Sequence, residues 1–133
     1  MSAPAARPRI FIDADACPVK DEVYRVAARY RLHTFVVNHG ALRVPKDAAI
    51  ELVTVAQGAD AADDWIAERA TARDIVVTSD IPLADRVIKS GAAAIRPDGR
   101  LFTVDSIGQA LATRGIMEHL RSMGETTSGP PSL

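Results

Sequence analysis

Aspartate residues follow apolar runs at three places in this chain of 133 residues, and they are the side chains best suited to chemistry. Apolar runs at 10–12, 52–56 and 75–77 precede, in order, Asp13 and Asp15, Asp60 and Asp63, and Asp80. Such runs predict strands buried on both faces of a parallel sheet. Because ligands bind outside the carboxyl ends of parallel strands, these aspartates are expected at one edge. Converging carboxylates repel one another unless cations lie between them, and their hard oxygen atoms suit Mg²⁺ or Mn²⁺.

The elements that must position these aspartates are indicated by strand and helix signals that alternate along the chain. Strands are predicted at 9–13, 33–38, 49–55 and 74–78, followed by a hairpin or an edge strand from 93–96 and 101–104. Helices are predicted from Pro18 at a first helical position, over 59–73, from Pro82 to about residue 90, and from the capping pair Ser106 and Gln109 to about residue 123. The first helix carries one apolar stripe: Val19, Val23, Val26, Ala27 and Tyr30. The alternation predicts an α/β fold, a three-layer α/β/α sandwich with a central, mostly parallel sheet.

Length and composition indicate one domain. Residues 1–8 are expected to form a disordered tail, residues 9–123 a single domain, and residues 124–133 a flexible tail. The net charge of −1 gives no strong steering toward nucleic acid or a membrane. No apolar run approaches the roughly 18 residues of a membrane span, and no signal peptide is recognisable. A single cysteine, Cys17, expected to be buried and structural, fits a reducing compartment, so a cytoplasmic protein without membrane contact is predicted.

Helix capping competes with chemistry as an explanation for several of the aspartates. Asp15 shares a face with Asp13 if the extended backbone continues that far, but a cap on the following helix explains Asp15 nearly as well. Asp60 and Asp80 also occupy predicted cap positions. Asp63 differs, because it falls on the core-facing stripe of its helix, where an unpaired carboxylate is costly.

Other polar residues are expected around the aspartates. Asn38, Thr78 and Ser79 lie at strand ends, where a side chain can hydrogen-bond a phosphate or a metal-bound water. Lys20 is close enough in sequence to contact phosphate, and Asp85 lies one turn into the third helix, as an outer-shell residue would. A zinc site is not expected, since the chain has one cysteine and no histidine pair at ligand spacing.

Three segments carry a resemblance to known families: IDADACPVK at 12–20, GADAAD at 58–63 and TSDIPLA at 78–84. Their order resembles the PIN domain, a family of metal-dependent ribonucleases. More closely, the segments resemble the bacterial YaiI/YqxD family, a PIN-like group of uncharacterised function. The resemblance runs over nearly the whole chain from residue 9, and it departs from the family at Ser79, where glutamine is usual.

The resemblance implies a PIN-like fold and a divalent-metal-dependent nuclease, a phosphodiesterase acting on RNA. It implies that Asp13, Asp63 and Asp80 are catalytic. It also implies that Asp13, Asp60 or Asp63, and Asp80 hold one or two Mg²⁺ or Mn²⁺ ions, with Asp15 as a further candidate ligand. The implied substrate is single-stranded or structured RNA. A homodimer would help to create the groove that one nearly neutral monomer lacks.

Two other functions stay open at this point. A non-catalytic PIN-like module would bind RNA or a protein without turnover. A haloacid-dehalogenase-type phosphatase would use Asp13 as its nucleophile and Asp15 as acid and base, and a trapped aspartyl-phosphate would identify it. The phosphatase order requires the Thr/Ser motif before the late acidic cluster, whereas Thr78 and Ser79 follow that cluster here.

Overall fold

The computed structural model describes residues 7–56, 58 and 60–126, without the side chains of residues 125 and 126. A five-stranded sheet forms its centre, in the order β3-β2-β1-β4-β5, and every strand pair is parallel. The strands are β1 Ile10–Asp13, β2 Thr34–Asn38, β3 Ile50–Thr54, β4 Ile75–Val77 and β5 Ala93–Ile95. The helices are α1 Lys20–Tyr30, α2 Ala61–Arg69, α3 Ile81–Lys89 and α4 Val104–Thr126. The predicted α/β sandwich around a central parallel sheet is confirmed.

Helices cover the two faces of the sheet unequally. On one face, α2, α3 and α4 pack against the sheet through a core cluster that includes Ile66, Leu83 and Ile107. On the other face, the described residues of the core cluster come from one helix, α1, and from the loops beside it. Within the described part of the chain, no helix has the length and apolar character needed to cross a bilayer.

The order of the strands places the ends of β1 and β4 side by side. The chain runs outward from β1 to β2 and β3, and then returns to β4 on the other side of β1. Ile12 pairs with Val77, so Asp13 at the end of β1 lies level with Thr78, which directly follows β4. Such a reversal of strand order opens a crevice at the carboxyl edge of a parallel sheet, which is where ligands bind.

The prediction that all three acidic clusters follow fully buried strands is wrong for β3. Strands β1 and β4 lie inside the sheet and are largely buried, as predicted. Strand β3 is the edge strand beside β2 and has no fully buried residue. Its apolar composition resembles that of a central strand, and a sequence pattern does not reveal which strand lies at the edge.

The backbone after β1 does not continue as predicted. The strand ends at Asp13, and a one-turn 3-10 helix, Ala14–Ala16, follows. The Ala16 carbonyl accepts bonds from the Ser79 amide at 3.1 Å and from Ser79 Oγ at 3.0 Å, which tie this turn to the end of β4. Helix α1 therefore begins at Lys20 rather than at Pro18, with no side-chain cap, so Asp15 does not cap it.

The predicted helix boundaries need smaller corrections. Helix α2 ends at Arg69 and not at residue 73, and its predicted start at residue 59 lies outside the described residues. The capping pair of α4 is Thr103 with Ser106, rather than Ser106 with Gln109: each backbone amide donates to the other residue's hydroxyl, at 2.8 and 3.0 Å. Helix α4 continues to Thr126, past the predicted end near residue 123.

Candidate metal centre

Four of the five predicted metal ligands line one open pocket at the carboxyl edge of the sheet. The pocket lies where β1 and β4 end and α2 begins, and Gly58 and Ala62 form part of its wall. The complete lining is Asp13, Asp15, Ala16, His39, Gly58, Ala62, Asp63 and Asp80. Asp60, the fifth predicted ligand, is exposed at the cap position of α2 and is not part of this lining. Segments far apart in the sequence thus bring their carboxylates to one place.

Thr78 fixes the position of the most buried carboxylate. Asp13 is only 4% exposed, and its Oδ2 accepts a hydrogen bond from Thr78 Oγ1 at 2.7 Å. The same hydroxyl accepts a bond from the Asp80 backbone amide at 2.9 Å. One buried hydroxyl therefore joins the ends of β1 and β4 and sets the spacing between two of the predicted ligands.

Asp80 caps a helix and lines the pocket at the same time. Its Oδ1 accepts from the Leu83 amide at 2.9 Å, which makes it the cap of α3. Among the described residues, no hydrogen bond involves the other carboxylate oxygen of Asp80 or Oδ1 of Asp13. Each of these two side chains lines the pocket and has one oxygen without a hydrogen bond, so the capping role does not exclude a role as ligand.

Asp63 is the carboxylate whose ionisation is most disturbed. Its partial burial, followed by the negative charges of Asp80, Asp13 and Asp60, raises its pKa to about 6, and Arg86 offsets only part of this effect. This agrees with the sequence argument that Asp63 lies toward the core side of α2. A carboxyl group with a pKa near neutrality is suited to exchange protons at physiological pH.

The pKa of Asp13 is also raised, but by less than that of Asp63. Burial raises the pKa of Asp13, the hydrogen bond from Thr78 opposes that rise, and the charges of Asp80 and Asp15 add to it. The pocket thus gathers more negative charge than its surroundings neutralise. A divalent cation would relieve this repulsion, because it favours the ionised form of each carboxylate.

The Asp63→Asn variant is expected to be more stable than the wild type above pH 6 in the absence of metal. A folded-state pKa of about 6 lies above the ordinary value of 3.8, so the folded protein binds more protons than the unfolded chain between these pH values. The free energy of unfolding of the wild type therefore falls as pH rises from about 4 to about 6. An asparagine side chain does not ionise, so the variant is expected not to show this fall. Allowing for solvent screening, we expect a gain of about 1–2 kcal/mol at pH 7.

Urea unfolding in EDTA at pH 4, 5, 6 and 7 measures this effect. The matched control is Asp64→Asn, which removes the same charge one position later from an exposed side chain paired with Arg86 at 2.7 Å. An Asp63→Asn protein that is less stable than the wild type at pH 7 would contradict the account.

The donor set fits a hard divalent cation that keeps part of its water shell. Within the described residues, no three His, Cys, Asp or Glu side chains are grouped closely enough to hold a metal ion by themselves. Mg²⁺ commonly binds through one or two carboxylates and retains several waters, with substrate phosphates completing its coordination. An open pocket with oxygen donors on Asp13 and Asp80 satisfies that requirement.

The whole domain matches proteins of one bacterial family. Residues 11–133 match the family described as "Uncharacterized BCR, YaiI/YqxD family". The chain belongs to the YaiI/YqxD family. A UPF0178 protein of Caulobacter sp. (strain K31) is 68% identical over 124 residues, which are 93% of this chain and 82% of the relative.

Two further relatives of this YaiI/YqxD protein have a similar sequence identity to it. A UPF0178 protein of Caulobacter vibrioides (strain NA1000 / CB15N) is 63% identical over 124 residues, covering 93% of this chain and 81% of the relative. One from Rhodopseudomonas palustris (strain TIE-1) is 58% identical over 122 residues, covering 92% and 77%. No solved structure matches the chain. These names state no activity.

The remaining predicted site residues of this YaiI/YqxD protein lie outside the pocket lining. Lys20 Nζ donates to the Cys17 carbonyl at 2.8 Å, and Asp85 pairs with Lys89 at 2.9 Å. Ser79 donates two hydrogen bonds to the Ala16 carbonyl. Asn38 is buried at the end of β2, and its Oδ1 has no partner among the described residues. Of the predicted outer residues, Thr78 alone contacts a lining carboxylate through a hydrogen bond in the described structure.

His39 is the lining residue that the sequence argument missed. Its Nε2 lies 4.0 Å from Asp15 Oδ2, at the mouth of the pocket. The signal was its position, because His39 directly follows β2 and so shares the carboxyl edge of the sheet with the aspartates. Cys17 is buried, as predicted, and burial raises the pKa of its thiol, which fits a structural role.

Proposed function

We propose that this protein is a divalent-metal-dependent phosphodiesterase that acts on RNA. The observation that carries the proposal is the convergence of Asp13, Asp15, Asp63 and Asp80 on one open pocket at the carboxyl edge of the sheet. The resemblance of the three acidic segments to PIN ribonucleases supports RNA as the substrate. The raised pKa values of Asp13 and Asp63 support a cation as the missing partner of these carboxylates.

The residues would have different roles in such a site. Asp13 and Asp80 would hold Mg²⁺ or Mn²⁺ through the oxygens that make no hydrogen bond in the described structure, with Asp15 and Asp63 beside them in the lining and Asp60 outside it at the cap position of α2. When bound, the cation would stabilise charge on the phosphate oxygens and lower the pKa of a bound water. Thr78 keeps Asp13 and the backbone of Asp80 in register through its two hydrogen bonds.

Asp63 is the side chain best placed to accept a proton. In the absence of a cation its pKa of about 6 leaves it largely ionised at pH 7, and a bound cation would favour that ionised form further, as a proton acceptor requires. It sits in the first turn of α2 and lines the pocket together with Asp13 and Asp80. We therefore assign Asp13 and Asp80 to binding and Asp63 to proton transfer.

A cleavage assay with end-labelled substrates tests the proposal. Single-stranded RNA, an RNA hairpin and single-stranded DNA of the same sequence are incubated with the protein in Mg²⁺, in Mn²⁺ and in EDTA. We expect cleavage of RNA that needs the metal and is absent in EDTA. Hydrolysis of a phosphate monoester with a trapped aspartyl-phosphate would instead indicate the phosphatase, and an unchanged RNA panel would contradict the nuclease.

A non-catalytic RNA-binding module is the second candidate, and one observation favours it. No three acidic or histidine side chains within the described residues form a ready metal cage, and capping alone accounts for Asp80. Such a module would bind the labelled RNA with equal affinity in EDTA and in Mn²⁺ and would leave it intact. The two candidates therefore differ in metal dependence as well as in turnover.

A further inference from the structure

An apolar groove lies on the less covered face of the sheet, away from the carboxylates. It runs between α1 and the edge of the sheet, with Val23, Val26 and Tyr30 on the helix side and Ile75, Val77 and Ile95 on the strand side. Val26 is 50% exposed and Tyr30 is 63% exposed. The predicted apolar stripe of α1 is thus only partly covered, because Val26 and Tyr30 are exposed at this groove.

The groove lies where the described residues place no helix over this face of the sheet. Parallel sheets are normally covered by helices on both faces. On this face α1 packs over the centre of the sheet, and the described residues put no second helix over β4 and β5. A helix lying beside α1 would complete the layer and cover the exposed apolar side chains.

Helix α4 presents a second apolar surface, which the described residues of its own domain leave exposed. Ile107 packs in the core cluster on the opposite face of the sheet and is buried. Ile116 follows nine positions later, which is roughly two and a half turns, so the two side chains point in opposite directions. Ile116, Met117 and Leu120 form an outer stripe, each about half exposed, on a stretch of α4 that is exposed throughout.

We propose that the outer stripe of α4 in one copy of this chain packs into the apolar groove of a second copy. Within one copy the two surfaces cannot meet, because α4 begins on the face of the sheet opposite the groove and its outer stripe points away from that face. A charge contact is also available at one rim of the groove. Glu22 lies on the α1 rim and Arg121 flanks the outer stripe, while Arg96 on the strand side of the groove is paired with Asp98 at 3.5 Å.

A reciprocal exchange closes the assembly. If each copy inserts its α4 into the other, the two contacts are equivalent and a two-fold dimer results, with no surface left to extend a filament. The interface then contains two inserted helix segments, each with its apolar stripe on the partner's sheet. The missing layer of each sandwich is completed by the other copy.

Sedimentation velocity of the full chain in EDTA tests this interface independently of metal and RNA. We expect a dimer whose dissociation constant rises about tenfold or more in Ile116→Glu and equally in Val26→Glu, since each places a charge in an apolar contact. The matched control is Val104→Glu, which introduces the same charge on α4 at a 74% exposed position outside the outer stripe. Because all three positions are exposed, circular dichroism is expected to show folded variants.

Cross-linking identifies which surfaces meet. A copy carrying Leu120→Cys is mixed with a copy carrying Val26→Cys and treated with a short bismaleimide, while the native Cys17 is buried. We expect mixed cross-linked dimers. A monomer at all concentrations, a dimer unaffected by Val26→Glu, or cross-links formed only between two Leu120→Cys copies would each overturn the proposal.

Discussion

The Asp13→Asn variant is expected to cleave RNA at least about 100-fold more slowly than the wild type in the presence of metal. The substitution keeps the shape of the side chain and an oxygen that can accept the bond from Thr78, so the end of β1 stays in place. It removes the negative charge from the most buried carboxylate of the pocket, where a cation would gain most from it. Initial rates at saturating Mn²⁺ measure the loss.

The matched control for this variant is Asp64→Asn. Asp64 carries the same charge and lies next to Asp63, but it is exposed, pairs with Arg86 at 2.7 Å and is not part of the pocket lining. Its variant is expected to cleave RNA within about twofold of the wild type. Equal losses in both variants would mean that overall charge, and not the pocket, sets the rate.

Replacing Asp74 by alanine is expected to destabilise the fold by about 2–4 kcal/mol. Asp74 is 2% exposed at the opposite end of β4 from the pocket. Its two oxygens accept from the Arg9 amide and guanidinium and from the Thr71 amide and hydroxyl, at 2.7 to 3.3 Å. The variant leaves these donors without their partner, and urea unfolding at pH 7 measures the cost.

The pH dependence of the Asp74 contribution has the opposite sign to that of Asp63. Burial alone would raise the pKa of Asp74, but the bonds from Arg9 and Thr71 outweigh it and lower that pKa below 3.8. The stabilisation is therefore complete above about pH 4 and is lost as pH falls through the lowered pKa.

Asp85→Ala is the control for the Asp74 variant. Its pairing with Lys89, across one helical turn with a mostly exposed lysine, is expected to contribute less than about 0.5 kcal/mol. A similar cost for the two alanine variants at pH 7 would contradict the assignment of Asp74 as a structural residue.

The sequence predicted those parts of the fold that depend on local pattern. The apolar runs located β1 and β4, and the parallel arrangement then brought Asp13 and Asp80 to one edge. The helical periodicity of α2 placed Asp63 on the core-facing stripe, where an ionised carboxylate is costly, in agreement with its raised pKa. Each of these signals is contained within a few neighbouring residues or within one turn of helix.

The features that the sequence did not predict depend on contacts between distant segments. The turn at Ala14–Ala16 is held by bonds from Ser79, more than sixty positions away, so a local rule extended the strand instead. The stripe on α1 was correctly read as apolar, but periodicity does not say whether anything covers it, and Tyr30 is exposed. His39 follows β2 directly, but the strand order is needed to show that β2 ends beside β1 and its aspartates.

Calorimetric titration of Mn²⁺ into the wild type and into an Asp13→Asn/Asp80→Asn double variant tests the central claim most directly. The account predicts saturable binding to the wild type that is lost in the double variant, with weaker wild-type binding at pH 5 than at pH 7, because protons compete for carboxyl groups with raised pKa values. Equal binding to both proteins, or no binding to the wild type at either pH, would contradict it.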